Sequence, residues 1–345
     1  MRDIRSNSMN ERKQVYLIGH VSQDLIDGSN IPVMGGAVAY MARVFKIMGW
    51  DARIITKLPS NHQFLKELND LGIIVHNLPI SDDNKKVSMT TFEINNWGEE
   101  RDIFLRDKQE DISVDEIRKF SANISRDALI VVAPVMDEVD INILPFLRSE
   151  GLYSVLCPQG VFRRTRENGL IYHQRYSDLA WILNYANMAI FSREDMDFYD
   201  RESQDKYIKE LARIKPVFVT DGSNGSEFFY QDERITVRAL SLKEGERRKF
   251  IGAGDVFAAA LLHSMMRGKP LVLDMEFASA YTTQKIGINN GKEGISGLPT
   301  IEEFEDFVRN DQERIVDYAM LLLPYVLGRE AHYEPSDFSF RRIET

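Results

Sequence analysis

Short apolar runs that alternate with helical patterns constrain the fold of this chain more than any other feature. The run QVYLIGHV, from Gln14 to Val21, has the length and composition of a buried strand. The next segment, GGAVAYMARVFKIMG, is apolar almost all round and ends at Gly49, where a helix C-cap belongs. Further β runs are DARIITKL, ALIVVAPV, LYSVLCPQ, MAIFS and PVFVTDG, with helical patterns between several of them. This alternation predicts an α/β fold with a doubly wound, mostly parallel sheet flanked by helices.

One region interrupts the alternation. The residues from Val87 to Asp107, VSMTTFEINNWGEERDIFLRD, contain two β-rich runs joined by NNWGEE, which is typical of a hairpin. The segment DLIDGSNIPVM, after the first strand, is also extended and turn-rich. Two arrangements are open at this point. Residues of about 23–34 and 87–107 form either a small β lid that stands off the main domain or an antiparallel edge of the main sheet.

Charge and composition restrict the class of partner. The chain has 345 residues and a formal net charge of -10, which disfavours nucleic acid because a phosphate backbone binds a basic surface. A single cysteine, Cys157, cannot form an intramolecular disulfide. The polar N-terminus lacks the apolar core of a signal peptide, and no apolar run is long enough to predict a membrane span. We therefore expect a cytoplasmic protein with no nucleic-acid or membrane partner, in which residues 1–12 form a mobile tail.

The stretch RRKFIGAGDVFAAALL, residues 247–262, places a glycine-rich turn directly before a long apolar helix predicted from Val256 to Met266. The first N–H groups of such a helix have no intrahelical partner, and the helix dipole favours an anion beside them. Gly252 and Gly254 let the backbone approach that anion without a Cβ atom in the way. Asp255 then has two interpretations: it stabilises the start of its own helix, or it accepts a proton from a substrate hydroxyl.

Other positions also have one functional and one plainer interpretation. Gly35 and Gly36 open the first helix, where they permit close approach of a ligand or simply form a tight turn. Gly222 and Gly225 follow a strand, where α/β sheets bind ligands, but the β-like SEFFYQ after them also suits a hairpin. Asp24 is a carboxylate suited to sugar hydroxyls, or a solvated loop acid.

Taken together and in this order, these residues resemble the ribokinase-like (PfkB) family of carbohydrate kinases, from Gly19 to about Pro299. The strongest match is the GAGD turn with the helix after it. The resemblance implies that this turn is an anion hole and that Asp255 is the general base. It also implies a site for the substrate and one for the nucleotide, and it favours the lid interpretation of the hairpin. The residues implied are Gly252, Ala253, Gly254 and Asp255 for catalysis, Asp24, Gly35 and Gly36 for the substrate, and Thr220, Gly222, Gly225 and, in GKEGISGLP, Gly294 for ATP.

Two stretches are similar to inositol-kinase-like members of that family. They are TTFEINNWGEERDIF and CPQGVFRR. The second of them implies that Gln159 and Arg163 face the substrate or the transferring phosphate.

Two segments depart from the family pattern. Lys249-Phe250 replace an Asp-Thr pair in a segment that, in the family, helps to bind a monovalent cation. We therefore expect no potassium-activated site, with Lys249 as an alternative positive charge. The segment from Ser192 to Asp195 replaces an Asn-x-x-Glu that arranges magnesium, so Asp195 is expected to reach Mg²⁺ only through water. The six histidines show no metal-ligand spacing, and His20, His62 and His76 are expected on the surface or in loops.

The resemblance implies a kinase that transfers the γ-phosphate of ATP to a hydroxyl of a sugar or polyol, an inositol-like one included, with Mg²⁺ as cofactor. A nucleoside kinase is an alternative, because Tyr40 and Phe92 either stack on a base or fill the core. A nucleotide-binding regulator without catalysis is another. Residues 13–330 are expected to form one ribokinase-like domain, and 331–345 a tail of no assigned role. Dimerisation through the lid occurs in the family, which leaves a homodimer open.

Overall fold

The computed structural model describes residues 13–81, 88–97, 100–122, 124–243, 249–268, 270–287, 292 and 294–310. The tails predicted at 1–12 and 331–345 lie outside these residues. The strands, in chain order, are β1 (Gln14–Ile18), β2 (Ser22–Ile26), β3 (Val33–Gly35), β4 (Asp51–Thr56), β5 (Ile74–Asn77), β6 (Thr91–Trp97), β7 (Glu100–Asp107), β8 (Leu129–Val132), β9 (Tyr153–Leu156), β10 (Arg163–Thr165), β11 (Ile171–His173), β12 (Met188–Ser192), β13 (Val217–Thr220), β14 (Ser226–Tyr230) and β15 (Glu233–Val237).

Helices separate most of the strands. They are α1 (Ala37–Ile47), α2 (Gln63–Asp70), α3 (Val114–Ser121), α4 (Ile143–Ser149), α5 (Gln159–Phe162), α6 (Leu179–Leu183), α7 (Arg201–Ala212), α8 (Ala253–Met265), α9 (Leu271–Gly287) and α10 (Ile301–Asn310). Short 3₁₀ turns occur at Arg193–Met196, Gly222–Asn224 and Gly294–Gly297. None of the described helices combines the length and the apolar composition that crossing a bilayer requires.

The main sheet runs in the order β15-β14-β13-β12-β9-β8-β1-β4-β5 within the described residues. The pairs from β13 through to β5 are parallel. β14 and β15 are antiparallel and form one edge. The predicted doubly wound, mostly parallel sheet is therefore confirmed.

Helices cover both faces of this sheet. Because side chains alternate along a strand, Val15 and Leu17 of β1 belong to one core cluster and Tyr16 and Ile18 to the other. The first cluster includes the buried sides of α1, α8 and α9, and the second includes those of α4 and α7. Helices α1 and α8, the apolar helices predicted after the two glycine turns, are therefore neighbours on one face of the sheet.

The predicted hairpin forms a second sheet, separate from the main one, in the order β3-β2-β6-β7. β6 and β7 are antiparallel, as their sequence indicates, and β6 lies parallel to β2. The alternative of an antiparallel edge on the main sheet is therefore wrong. We call these four strands the substrate sheet, because β2 and β3 contain Asp24 and Gly35, which the resemblance assigns to the substrate. Only three residues separate β1 from β2, so the two sheets are joined at the first strand of the chain.

A short hairpin that the sequence pattern did not indicate supports the substrate sheet from the side. β10 and β11 pair with each other, and the turn between them contacts β7. The N–H of Leu105 in β7 donates to the carbonyl oxygen of Gly169 at 2.9 Å. This hairpin begins at Arg163, one of the residues that the resemblance assigns to the substrate.

Candidate active site

A cavity lies between the substrate sheet and the main domain and brings together residues from both. The cavity is small, with a volume of about 60 Å³, and part of it is open to solvent. Substrate-sheet side chains form one wall, and the starts of α1, α5 and α8 form the other. The lining includes Ser22, Asp24, Gly36, Tyr40, Phe92, Arg101, Gln159, Arg163, Gly252 and Asp255.

The glycine turn before α8 leaves backbone donors available at this cavity. Gly252 has φ of +75°, and a Cβ there would lie 2.6 Å from the ring of Tyr40. The N–H of Ala253 donates to the carbonyl oxygen of Phe250 at 3.0 Å. No described residue accepts from the N–H groups of Gly254 and Asp255. Two N–H groups in the first turn of a helix are therefore ready to bind an anion.

Asp255 is in that same first turn and lines the cavity. Partial burial, with a smaller contribution from nearby Asp195, raises the pKa of its carboxyl to about 7, against the opposing charges of Arg163, Arg101 and Lys285. A carboxyl with a pKa near neutrality can both accept and release a proton, as a general base must. The helix is longer at its start than the sequence predicts, since it begins at Ala253 and not at Val256.

Asp24 lies on the opposite wall, directly over the first glycine of the Gly-Gly pair. β2 pairs with β3, and a Cβ at Gly35 would lie 2.0 Å from an oxygen of Asp24. Gly36 has φ of +90°, and a Cβ there would lie 2.5 Å from the carbonyl oxygen of His20. Ser22 donates its hydroxyl to Asp24 at 2.8 Å. Burial raises the pKa of Asp24 to about 6, although the Ser22 hydroxyl and Arg163 act against it.

Arg163 is the buried cation of the cavity. Its Nη1 donates to the carbonyl oxygen of Val135 at 3.0 Å, and its guanidinium carbon lies 5.9 Å from the ring centroid of Phe92. Its Nε has no hydrogen-bond partner among the described residues, although the side chain is buried. A buried donor without a partner is costly and suits an oxygen-rich ligand. Gln159, which starts α5, lines the same cavity.

Glu138 holds the wall that contains Val135, and the sequence pattern did not identify it. Its carboxylate is fully buried and accepts from the backbone N–H groups of Val135 (2.9 Å), Met136 (2.7 Å) and His20 (2.9 Å). It thereby fixes the loop whose carbonyl orients Arg163. In the sequence it is one acid among three in MDEVD, so nothing distinguishes it there.

His20 lies in the loop between β1 and β2, as one of its two expected positions has it, but it is not on the surface. The side chain is fully buried, with Nδ1 at 2.8 Å from the Thr90 hydroxyl and Nε2 at 3.0 Å from the Glu110 carbonyl oxygen. Burial lowers the pKa of His20, so the ring is a neutral link between β1 and the segment around β6 and β7. His62 caps the start of α2, and His76 packs on Tyr16.

The residues expected to bind the nucleotide lie outside this cavity, at the carboxyl end of β13. Thr220 ends that strand, and Gly222 and Gly225 form the turn to antiparallel β14. The backbone here is therefore a hairpin, as SEFFYQ in the sequence indicates. Gly225 has φ of +103°, and a Cβ there would lie 2.0 Å from the carbonyl oxygen of Val237. Gly222 has φ of +51° with open space around it. Gly294 lies elsewhere, against Val33 of β3.

Asp195 lies between the cavity residues and the turn at the end of β13. Its carboxylate accepts from the N–H of Ser192 at 2.8 Å, and the Ser192 hydroxyl lies 3.4 Å from the Thr220 carbonyl oxygen. Burial raises the pKa of Asp195, and its charge in turn acts on Asp255. The described residues contain no group of three or more His, Cys, Asp or Glu that could hold a metal. Any Mg²⁺ here would be held mainly by phosphate oxygens and water, with Asp195 as a protein carboxylate nearby.

Comparison with known families decides what kind of protein this is. The model of the pfkB family of carbohydrate kinases matches residues 32–292, which include both glycine turns and Asp255. The chain belongs to the pfkB family. It is therefore a phosphotransferase that acts on an alcohol group.

Relatives of this pfkB kinase act on several acceptors. A 5-dehydro-2-deoxygluconokinase of Halalkalibacterium halodurans is 20% identical over 300 residues, which cover 81% of this chain and 86% of the relative. A pyrophosphate-dependent kinase in the ribokinase family, solved with a pyrophosphate analog and myo-inositol, has a TM-score of 0.66 at 20% identity and covers 83% of this chain and 99% of its own. A Burkholderia thailandensis nucleoside kinase solved with inosine has a TM-score of 0.64 at 16% identity, with 88% and 98% covered. At these identities the structural likeness shows the fold and leaves donor and acceptor open.

Proposed function

We propose that this pfkB kinase transfers the γ-phosphate of ATP to a hydroxyl of a sugar or polyol, with Asp255 as general base. The observation that carries the proposal is the arrangement at the start of α8. A carboxyl with a pKa near 7 lies beside two backbone N–H groups that have no acceptor among the described residues, in a cavity that also contains Asp24. A base, an anion hole and a hydroxyl-binding carboxylate thus meet in one place.

The chemistry follows from these positions. Asp24 and Arg163 hold the acceptor, and Asp255 accepts the proton of the hydroxyl that reacts. The oxygen of that hydroxyl forms a bond to the γ-phosphorus while the bond from phosphorus to the bridging oxygen of ADP breaks. The N–H groups of Gly254 and Asp255 stabilise the charge that spreads over the phosphoryl oxygens. Bound Mg²⁺ would supply further positive charge beside the phosphates.

The buried aromatic residues favour a sugar or polyol over a nucleoside. Tyr40 and Phe92 line the cavity, but each is only 4% exposed and belongs to the hydrophobic core. Tyr40 packs on Gly252, and Phe92 lies beside Arg163. Both rings are packed in the core, which leaves little of their surface for a base to stack on. The polar groups around them suit a ligand with many hydroxyls.

The substrate sheet supports the lid interpretation. Phe92, Ile94, Arg101 and Ile103 of β6 and β7 contribute to the cavity wall. A wall that belongs to a separate sheet can exclude water from the acceptor, which matters because hydrolysis of the donor is the competing reaction.

Replacement of the base tests the proposal. Asp255→Asn should lower kcat by at least about a hundredfold while the dissociation constant for the nucleotide stays nearly unchanged, because the amide cannot accept the proton. Asp115→Asn is the matched control, since Asp115 also lies in a first helical turn but is exposed on α3. A kcat of Asp255→Asn within about tenfold of the wild type would reduce Asp255 to a helix-end charge.

The donor and acceptor need a separate measurement, because one relative uses pyrophosphate. Phosphorylation should be measured with Mg²⁺ and either ATP or pyrophosphate, over myo-inositol, ribose, 5-dehydro-2-deoxygluconate and inosine. We expect ATP with a sugar or polyol to give product. Product from pyrophosphate alone would overturn the choice of donor, and product from inosine alone the choice of acceptor.

A further inference from the structure

Lys285, on α9, has an unusual environment for a lysine. Its side chain is only 4% exposed, and its Nζ donates to the carbonyl oxygen of Lys249 at 2.5 Å and to that of Ile251. A buried ammonium is costly unless its donors find acceptors. Here two carbonyl oxygens accept from it, and the ring of Tyr40 lies beside it, with its centroid 5.8 Å from Nζ.

Both acceptors belong to the segment that leads into the anion hole. Ile251 directly precedes Gly252, and the N–H of Lys249 is held in turn by the carbonyl oxygen of Ile286 on α9 at 3.1 Å. Tyr40, which lies beside the ammonium, also packs against Gly252. Three contacts around one ammonium therefore define the path of the chain into α8.

Lys249, the lysine that we expect from the sequence to supply positive charge beside the turn, has its ammonium further from the turn than Lys285 does. The Nζ of Lys249 donates to the carbonyl oxygen of Lys292, on a more exposed side of the segment. The backbone of Lys249 takes part, through its carbonyl oxygen, but the ammonium beside the turn is that of Lys285. In the sequence Lys285 is a single basic residue near the end of a helix, where it suits the helix dipole and attracts no notice.

We propose that Lys285 is a positioning residue of the transfer reaction, whose fixed ammonium orients the carbonyls of Lys249 and Ile251 so that the N–H groups of Gly254 and Asp255 point at the transferring phosphoryl group. The inference rests on the proposed function of Asp255 and the anion hole. Two carbonyl oxygens that converge on one point also describe a site for a small monovalent cation. The ammonium of Lys285 thus provides, as part of the chain, a positive charge that would otherwise come from a cation bound from solution.

Lys285→Met removes the ammonium and keeps much of the side-chain volume. Because the anion hole then loses its orientation, kcat should fall by about tenfold to a hundredfold while KM for the acceptor changes little. The charges of Lys285, Arg163 and Arg101 lower the pKa of Asp255, while the charge of Asp195 raises it. Removal of the Lys285 charge should therefore raise this pKa and move the acid limb of the pH–rate profile to higher pH. Lys206→Met is the matched control, since Lys206 is exposed on α7 and pairs with Glu202 one turn earlier on the same helix.

Cation rescue separates positioning from a purely structural role. Addition of ammonium or potassium ions should restore part of the activity of Lys285→Met and leave the wild type and Lys206→Met unchanged. Crystals of Lys285→Met soaked in thallium(I) should show anomalous density between the carbonyl oxygens of Lys249 and Ile251. If Lys285→Met does not fold, Lys285→Gln, whose amide can still donate to a carbonyl, serves in its place.

Two outcomes would overturn the role of Lys285. One is a kcat within about twofold of the wild type, and the other is a loss of activity with neither rescue nor thallium density. The thallium soak and a titration of each variant with inorganic phosphate need no turnover. A wild type that phosphorylates no acceptor would therefore contradict the proposed function, but these two measurements would still test the role of Lys285. Weaker phosphate binding by Lys285→Met than by the wild type would support that role. Equal phosphate binding would oppose it.

Discussion

The protonation of Asp255 should control the rate. Because burial raises the pKa of this carboxyl to about 7, the fraction that can accept a proton increases as the pH rises through that value. We expect kcat/KM to fall below about pH 7 and to level off above it. Initial rates measured from pH 5 to 9 under saturating Mg²⁺ check this, and a profile that is flat down to pH 5 would be inconsistent with Asp255 as the base.

Some residues of the site could be predicted from the sequence and others could not. Asp255 and the glycines around it stand in a short contiguous motif, so the sequence shows them as candidates, although the motif by itself leaves Asp255 open between a base and a helix-end charge. The contact of Asp24 with Gly35 depends on the register of β2 against β3, and register is set by pairing across the sheet. Glu138 and Lys285 act through backbone atoms far along the chain, and such partners leave no local pattern.

At the scale of elements, β7 carries an arginine that connects the substrate sheet to the main domain. Arg101 lines the cavity, and its guanidinium lies 3.3 Å from the carboxylate of Glu194. Glu194 is 69% exposed, and ion pairs at such positions contribute little to stability. The importance of Arg101 should therefore lie in the charge that it places beside Asp24 and Asp255.

Substitutions in this pair should separate the two effects. Arg101→Ala should lower kcat/KM by about tenfold or more, because a cation beside the acceptor and the transferring phosphoryl group is lost. Glu194→Gln should leave the free energy of unfolding within about 1 kcal/mol of the wild type. Arg106→Ala, also on β7 but paired with Glu93, is the control for loss of an arginine from the same strand. Equal effects of Arg101→Ala and Arg106→Ala on kcat/KM would mean that β7 acts only as a scaffold.

Elements with strong periodicity are predictable, and short polar ones are not. Strands β1 and β8 have four consecutive apolar residues each, at 15–18 and 129–132, and α1 and α8 are mostly apolar helices. Such elements, taken in order, indicate the fold class. The hairpin β10 and β11 has three residues in each strand, within the polar segment RRTRENGLIYH, and no periodicity is visible at that length. Its place in the fold comes from its contact with β7.

For the molecule as a whole, the position of Lys285 predicts indifference to potassium. A second cation near the carbonyl oxygens of Lys249 and Ile251 would be repelled by the ammonium already there. Replacing sodium by potassium at constant ionic strength should therefore change the initial rate of the wild type by less than about twofold. A large activation by potassium would show that a cation binds beside the turn despite Lys285.

The cavity joins residues from opposite ends of the polypeptide. Asp24, Gly36 and Arg101 come from its first third, while Gly252 and Asp255 come from beyond residue 250. During translation, Asp24, Gly36 and Arg101 are therefore made long before Gly252 and Asp255. A chain whose synthesis stops before Gly252 lacks the start of α8. On the proposed function it has neither the base nor the anion hole, so we expect it not to hydrolyse the donor.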